Sequence, residues 1–119
     1  MTAAILNITF DCRDASALAA FWRAVTGYEA TFEAQPGNAF WVVARPNGAW
    51  PRLVFATVPE VKTAKNRVHL DIVPDGCEQD QEVRRLLELG ATLVDDRRDA
   101  TPGGWVVLAD PEGNEFCVE

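Results

Sequence analysis

Residues 40–48 read FWVVARPNG and residues 105–113 read WVVLADPEG, and the two stretches align without a gap. Each contains an aromatic residue, three further apolar residues, alanine, a charged residue and a Pro-x-Gly turn. A strand that runs into a tight turn accounts for this pattern, because proline pre-sets φ and glycine permits a positive φ. A further strand is therefore predicted after each turn, over 52–57 and 115–118.

The stretches that precede these strands are repeated as well. Residues 8–12 read ITFDC and residues 68–72 read VHLDI, with apolar residues at the first, third and fifth positions and aspartate at the fourth. This alternation indicates a strand with one apolar face. A helical pattern follows each strand and ends at Gly27 or Gly90, while Asp14 is placed to cap the first helix. The apolar stripes of the two helices are Leu18, Phe21, Trp22 and Val25, and then Val83, Leu86 and Leu87.

Each half of the chain thus reads as strand, helix and three further strands, with the second strands near 28–33 and 91–95. The predicted fold class is α+β, a tandem βαβββ repeat whose curved mixed sheets pair around a concave pocket, because a sheet covered by one helix has a second face to bury. At 119 residues and 48% hydrophobic content, the chain has the size of one domain. We predict a first module at 1–58, a polar linker at 59–66 and a second module at 67–119.

The net charge limits the classes of partner that the protein could bind, and the cysteine usage indicates its compartment. A formal net charge of −7 disfavours nucleic acid and anionic membranes, and no window approaches the roughly 18 apolar residues of a membrane-spanning helix. The three cysteines, Cys12, Cys77 and Cys117, have no CxxC spacing. Reduced thiols and a cytoplasmic protein are therefore predicted.

Three motifs carry a family resemblance: DASALAAFW at 14–22, NRVHLDI at 66–72 and DPEGN at 110–114. In this order, on a repeated scaffold, they resemble the vicinal oxygen chelate superfamily of glyoxalases, bleomycin resistance proteins and dioxygenases, and within it the glyoxalase-like domain subgroup. The resemblance covers essentially the whole chain. It implies a small-molecule ligand, a homodimer and, in the enzymes of the superfamily, a divalent metal that chelates two adjacent oxygens of a substrate. The fold alone does not choose an activity.

The resemblance also implies metal ligands on the first and last strands of each half. Those positions are His69 and Cys117 in the second half and Asn7 in the first, whereas the internal repeat pairs His69 with Thr9 and Cys117 with Val54. A valine cannot bind a metal, so the usual set is incomplete. Glu115 shares a strand face with Cys117 by period-two alternation and could complete a site. The predicted cofactor is therefore none, or a divalent metal held by His69, Cys117 and Glu115.

Polar and aromatic side chains supply the remaining candidates. The predicted catalytic residues are His69, whose imidazole suits proton transfer near neutral pH, with Asp71 and Glu115. Aromatic walls bind planar or apolar ligands, and arginine can anchor an anionic or carbonyl group. The predicted ligand-binding residues are Thr9, Asp11, Trp41, Trp50, Arg52 and Trp105.

Three functions are consistent with this sequence. The leading hypothesis is a small-molecule-binding protein of the superfamily that lacks the usual complete metal site. The second is a metal-dependent lyase or dioxygenase. The third is a protein that sequesters an antibiotic, which needs an aromatic pocket and no metal ligands.

Overall fold

A computed structural model of the chain describes residues 1–99 and 102–119. These residues form two helices and eight strands, so each half contributes one helix and four strands. The elements in chain order are β1 (Asn7–Cys12), α1 (Ala15–Thr26), β2 (Glu29–Gln35), β3 (Asn38–Ala44), β4 (Arg52–Thr57), β5 (Leu70–Ile72), α2 (Gln79–Leu89), β6 (Thr92–Asp96), β7 (Val106–Ala109) and β8 (Glu115–Val118).

The two halves have the same sheet topology. Their strand orders are β1-β4-β3-β2 and β5-β8-β7-β6. In each sheet the first and last strands of the half run parallel, whereas the other pairs are antiparallel. The predicted α+β class with two βαβββ modules is therefore confirmed. The chain divides into two compact units, Met1–Lys62 and Thr63–Glu119, and their boundary falls inside the predicted linker 59–66.

Helix α1 begins and ends at the predicted residues. The Asp14 side chain accepts a hydrogen bond from the Ala17 N–H at 3.0 Å, which satisfies one of the free donors of the first turn. Gly27 has a φ of 71° and donates its N–H to the Arg23 carbonyl at 2.8 Å. A left-handed residue of this kind closes a helix with little strain only when it is glycine.

Helix α2 is longer than the apolar stripe predicted it to be. It begins at Gln79, and the side chain of Gln81 accepts a hydrogen bond from the Glu78 N–H at 3.1 Å. Val83 and Leu86 are buried, but Leu87 is 38% exposed. The prediction that Leu87 belongs to the packed stripe is therefore wrong, because this helix packs on the sheet, at β8, along a narrower face.

Strand β5 is shorter than predicted, since it begins at Leu70 and not at Val68. The Asn66 side chain gives the physical reason. Its amide donates to the Val68 carbonyl at 2.7 Å and to the Glu115 carbonyl at 3.3 Å, and its oxygen accepts from the Glu115 N–H at 3.1 Å. Asn66 therefore takes the β8 backbone groups that a longer β5 would use.

Strand alternation places an aromatic core between the first sheet and α1. Phe10 lies 5.8 Å from Trp22 and 5.1 Å from Phe55, measured between ring centroids. Trp22 is 1% exposed and Phe55 is 0% exposed. The alternate residues of β1 and β4, among them Thr9 and its register partner Val54, face the opposite side of the sheet.

The DPEGN turn between β7 and β8 is organised by one buried carboxylate. Asp110 is 2% exposed and accepts hydrogen bonds from the N–H groups of Glu112 and Asn114 at 2.9 and 3.0 Å, and from the Asn114 amide at 2.9 Å. We expect Asp110→Ala to lower the free energy of unfolding by about 1–3 kcal/mol, because it leaves part-buried donors of Glu112 and Asn114 without their acceptor. Urea denaturation measures this loss.

The matched control is Asp75→Ala, since Asp75 is exposed. That change is expected to alter stability by no more than about 0.5 kcal/mol. Equal effects of the two substitutions would show that the Asp110 carboxylate does not organise the turn.

Neither helix of the described part of the chain, at 12 and 11 residues, is of a length and apolarity that could cross a membrane.

Candidate functional site

The second sheet has one face that packs and one that opens into a pocket. On β8, Phe116 and Val118 are fully buried, and α2 packs on this strand. Because side chains alternate along a strand, Glu115 and Cys117 point to the opposite face. That face lines an open pocket of about 500 Å³. The lining residues are Lys65, His69, Asp71, Val94, Asp95, Trp105, Val107, Glu115, Cys117 and Glu119.

Three possible metal-binding side chains meet at one end of this pocket. The ligand atoms of His69, Asp71 and Cys117 all lie within 4.8 Å of one another. His69 Nδ1 is 3.1 Å from Asp71 Oδ1 and 3.8 Å from Cys117 Sγ. The parallel register of β5 and β8 brings them together, since Asp71 stands directly opposite Cys117. We call these three residues the second-module triad.

The triad is buried at its sulfur and open at its other two members. Cys117 is 6% exposed, whereas the side chains of His69 and Asp71 are 48% and 53% exposed. Burial, and secondarily the negative charge of Asp71, raise the pKa of the Cys117 thiol to about 11. A bound cation would act in the opposite direction, because a metal ion stabilises the thiolate.

The donor atoms of the triad fit a small divalent ion. Tetrahedral coordination with bonds of about 2.0–2.3 Å separates neighbouring ligand atoms by roughly 3.3–3.8 Å. Two of the three atom pairs of the triad are separated by 3.1 and 3.8 Å, and all three pairs lie within 4.8 Å. Three protein ligands with an open side are typical of catalytic zinc sites, in which the remaining position takes water or substrate. The predicted residues His69 and Cys117 thus meet, and Asp71 joins them.

Glu115 lies beside the triad but has other partners. Its carboxylate accepts a hydrogen bond from Lys65 Nζ at 2.8 Å, and its side chain is only 16% exposed. It belongs to the same pocket as the triad. Glu115 is therefore placed to contact a ligand in the pocket, while the ion pair with Lys65 holds its carboxylate in position.

Trp105 forms the aromatic wall of the pocket. It immediately precedes β7, and the Arg97 guanidinium stacks over its ring at 5.9 Å. Val107 lies on the same face of the strand.

On β6, a register shift between Leu93 and Asp95 accompanies the presence of two consecutive residues, Val94 and Asp95, in the lining. A β-bulge has this consequence because it interrupts the strict alternation of side chains.

The other predicted ligand-binding residues lie in the first module, on different sides of its sheet. Thr9 and Asp11 are exposed on the face opposite to α1. Arg52 donates to Asn7 Oδ1 at 2.9 Å and lies 3.9 Å from Glu33, so it is occupied within its own sheet.

The two remaining tryptophans of the first module differ in their surroundings. Trp41 stands opposite Phe55 on the α1 side of the sheet and contacts Phe32, with ring centroids 5.4 Å apart. Trp41 was predicted from the sequence to bind a ligand. In the structure, Trp41 does not share a sheet face with Thr9 and Asp11. Trp50 is 58% exposed in the connection before β4.

Strand register corrects one assignment made from the repeat. The motif alignment paired Cys117 with Val54, but Asp11 stands opposite Ala56 in the first module as Asp71 stands opposite Cys117 in the second. The backbone hydrogen bonds at the ends of the two ladders agree with this register. The Val58 N–H donates to the Cys12 carbonyl, and the Glu119 N–H donates to the Ile72 carbonyl. Ala56 is therefore the counterpart of Cys117. An alanine offers no ligand atom, so the first module lacks a copy of the triad.

Five lining residues were not predicted from the sequence, namely Lys65, Val94, Asp95, Val107 and Glu119. Glu119 could have been found by continuing the alternation of Glu115 and Cys117 by two residues, and Val107 by the same rule from Trp105. Asp95 is reached only through the bulge, and Lys65 comes from the polar linker, where no periodic signal exists.

The two halves of the chain, each a four-stranded mixed sheet with one helix, define the class of α+β proteins built from two βαβββ modules. Within that class the chain belongs to the Glyoxalase-like domain family, which matches residues 7–119. None of the curated proteins matches the chain significantly.

Solved structures share the fold at low identity. A mutant of the fosfomycin resistance protein FosX from Listeria monocytogenes, complexed with Mn(II) and 1S,2S-dihydroxypropylphosphonic acid, is 14% identical with a TM-score of 0.77, over 100% of this chain and 93% of that one. A possible glyoxalase from Bacillus cereus is 23% identical with a TM-score of 0.66, over 98% of both chains. A glyoxalase/bleomycin resistance protein/dioxygenase family enzyme from Burkholderia phytofirmans is 21% identical with a TM-score of 0.71, over 98% and 97%.

Proposed function

We propose that the chain is a small-molecule-binding protein of the glyoxalase-like family that uses a metal held by the second-module triad in place of the family's usual ligand set. The observation that carries the proposal is the meeting of three different donor atoms within 4.8 Å at one end of a pocket. Assembly as a homodimer in the cytoplasm stays a prediction.

The pocket offers the parts that a metal-assisted reaction needs. A divalent ion at the triad would polarise oxygen atoms of a ligand that enters the open side. Trp105 would hold an apolar or planar part of that ligand. Glu115, fixed by Lys65, would accept or return a proton at its carboxylate. These roles are those of a lyase or dioxygenase of the superfamily.

The charge of the pocket selects among ligands. Asp71, Asp95, Glu115 and Glu119 line it. Lys65 is paired with Glu115 and Arg97 with Asp95, so the acidic excess of the lining comes from Asp71 and Glu119. Even with a divalent ion at the triad, this lining disfavours a phosphonate dianion of the kind seen in the FosX complex. We infer that the ligand is neutral or cationic, since like charges at short range repel strongly in a partly dehydrated site.

A thermal-shift screen of the zinc-loaded protein tests the proposed function. We expect neutral or cationic compounds with two adjacent oxygens and a planar group to raise the unfolding temperature, and dihydroxypropylphosphonate to leave it unchanged. Trp105→Ala is expected to weaken binding of a hit about tenfold, and Trp105→Phe to retain most of it, because the ring supplies the contact.

Two results would contradict this account of the pocket. Stabilisation by the phosphonate as strong as that by any cationic compound would show that the acidic lining does not select ligands. Equal affinity of a hit for the wild type and Trp105→Ala would place the ligand away from this pocket.

A sequestering protein is the second candidate function, and the aromatic and acidic lining of the pocket favours it. Such a protein needs affinity and no metal. His69→Ala separates the two, because a sequestering protein keeps its affinity for a hit in the absence of metal, whereas ligand binding through a metal is lost with the imidazole.

A further inference from the structure

We infer that the second-module triad is a thiolate site for zinc-like ions, Zn²⁺ or Co²⁺, and that Cys117 is the ligand that sets this preference against the harder Mn²⁺. The inference rests on the proposed function and deepens it by naming the class of metal. It concerns the choice of ion and leaves the reaction open.

The triad combines a soft sulfur donor with an imidazole nitrogen and one hard carboxylate oxygen. Thiolate and imidazole suit Zn²⁺ and its neighbours, whereas carboxylate, carbonyl and water suit Mn²⁺ and Mg²⁺. Among the three donors only Asp71 supplies oxygen. The nearest further carboxylate on β8, that of Glu115, is bonded to Lys65 at 2.8 Å. A hard ion would therefore have to exchange several water molecules for one carboxylate and two poorly matched atoms.

The sulfur of Cys117 lies where it can contact an ion that is bound by the other two donors. Cys117 lies at the buried end of the triad, 3.8 Å from His69 Nδ1 and opposite Asp71 across the β5–β8 ladder. The other two donors face solvent and can rotate, but the cysteine is fixed within a central strand. An ion that enters the triad between His69 and Asp71 meets Cys117 Sγ as the third donor, and the thiol proton leaves to solvent as the ion binds.

Cobalt substitution tests this assignment without any enzymatic assay. Co²⁺ is added to the metal-free full-length protein, and the near-ultraviolet band of charge transfer from thiolate to Co²⁺ is recorded. We expect the band in the wild type and in Cys77→Ser, whose exposed thiol is the matched control within the same module. We expect its complete loss in Cys117→Ser.

Relative affinities supply a second readout. The ratio of the dissociation constants for Mn²⁺ and Zn²⁺ is measured for the wild type and for Cys117→Asp. Any site of this kind favours Zn²⁺ to some extent, so the informative quantity is the change in the ratio. We expect the ratio to fall at least about tenfold in the variant, because an oxygen replaces the sulfur.

The outcomes separate this inference from the proposed function. Binding of Co²⁺ by the wild type without the band, or an unchanged ratio in Cys117→Asp, overturns the thiolate inference and leaves a metal-dependent protein. Failure of the wild type to bind Zn²⁺ or Co²⁺ at all overturns both. If Cys117→Ser does not fold, the double variant Cys12→Ser with Cys77→Ser decides, since Cys117 is then the one remaining thiol and the band must persist.

Discussion

His69→Ala is expected to weaken the affinity for Zn²⁺ by at least about 100-fold. Loss of an outer-shell partner of a metal ligand already costs about 10–100-fold, and His69 supplies a ligand atom itself, at 3.1 and 3.8 Å from the other two donors. The two remaining ligands, Asp71 and Cys117, are too few for a stable protein zinc site. Competition of the metal-free protein against a chromophoric chelator measures the change directly.

The control for this change is Arg67→Ala, which alters an exposed side chain two residues before the histidine. It is expected to leave the Zn²⁺ affinity within about twofold of the wild type. Because the His69 side chain is 48% exposed, its removal is expected to leave the unfolding of the metal-free protein nearly unchanged. A His69→Ala protein that binds Zn²⁺ as tightly as the wild type would remove the histidine from the site.

Phe55→Ala is expected to lower the free energy of unfolding by about 3–5 kcal/mol. Phe55 is 0% exposed, stacks with Phe10 at 5.1 Å and stands opposite Trp41 in the β3–β4 register. Its truncation removes the transfer free energy of a whole ring and leaves a cavity that β4, flanked by β1 and β3, cannot easily close. Against a total stability of about 5–15 kcal/mol, this loss is severe. Chemical denaturation followed by circular dichroism measures it.

Phe32→Ala is the matched control in the same sheet. Phe32 is 57% exposed and contacts Trp41 through one side of its ring, so its truncation is expected to cost less than about 1 kcal/mol. If the two phenylalanine variants lost equal stability, the aromatic cluster around Phe55 would not be the core of the first module.

Most of the fold could be predicted because the repeat fixes the order of elements. The Pro-x-Gly turns predicted β4 and β8 at the residues where they occur, and Asp14 and Gly27 mark the ends of α1. The prediction was less accurate where a side chain competes with the backbone. Asn66 shortens β5 through bonds to a strand 49 residues away, and no local pattern contains that information.

The site could be predicted only in part, for reasons of register. Alternation along single strands places His69 with Asp71, and Glu115 with Cys117, each on one face. Which member of one pair meets which member of the other depends on the β5–β8 ladder, where Asp71 stands opposite Cys117. The sequence repeat also misplaced the first-module counterpart of Cys117 by two residues, because a gap in the preceding loop is invisible to a motif comparison.

A long-range ion pair gives Glu115 a partner that the sequence did not predict. From the sequence it stood as a metal ligand beside His69 and Cys117, and that set stays a prediction. The 2.8 Å contact with Lys65, a residue of the polar linker, gives Glu115 a different partner and makes Asp71 the better-placed carboxylate. Side-chain pairing between a loop and a strand carries no periodic signal, so only three-dimensional placement reveals it.

Diffraction from crystals of the zinc-loaded protein, with anomalous data collected at the zinc absorption edge, locates the metal ion directly. We expect a strong peak about 2.0–2.3 Å from His69 Nδ1, an Asp71 carboxylate oxygen and Cys117 Sγ. A peak bound by other residues, or crystals that contain zinc without any peak at the triad, would contradict metal binding by the second-module triad.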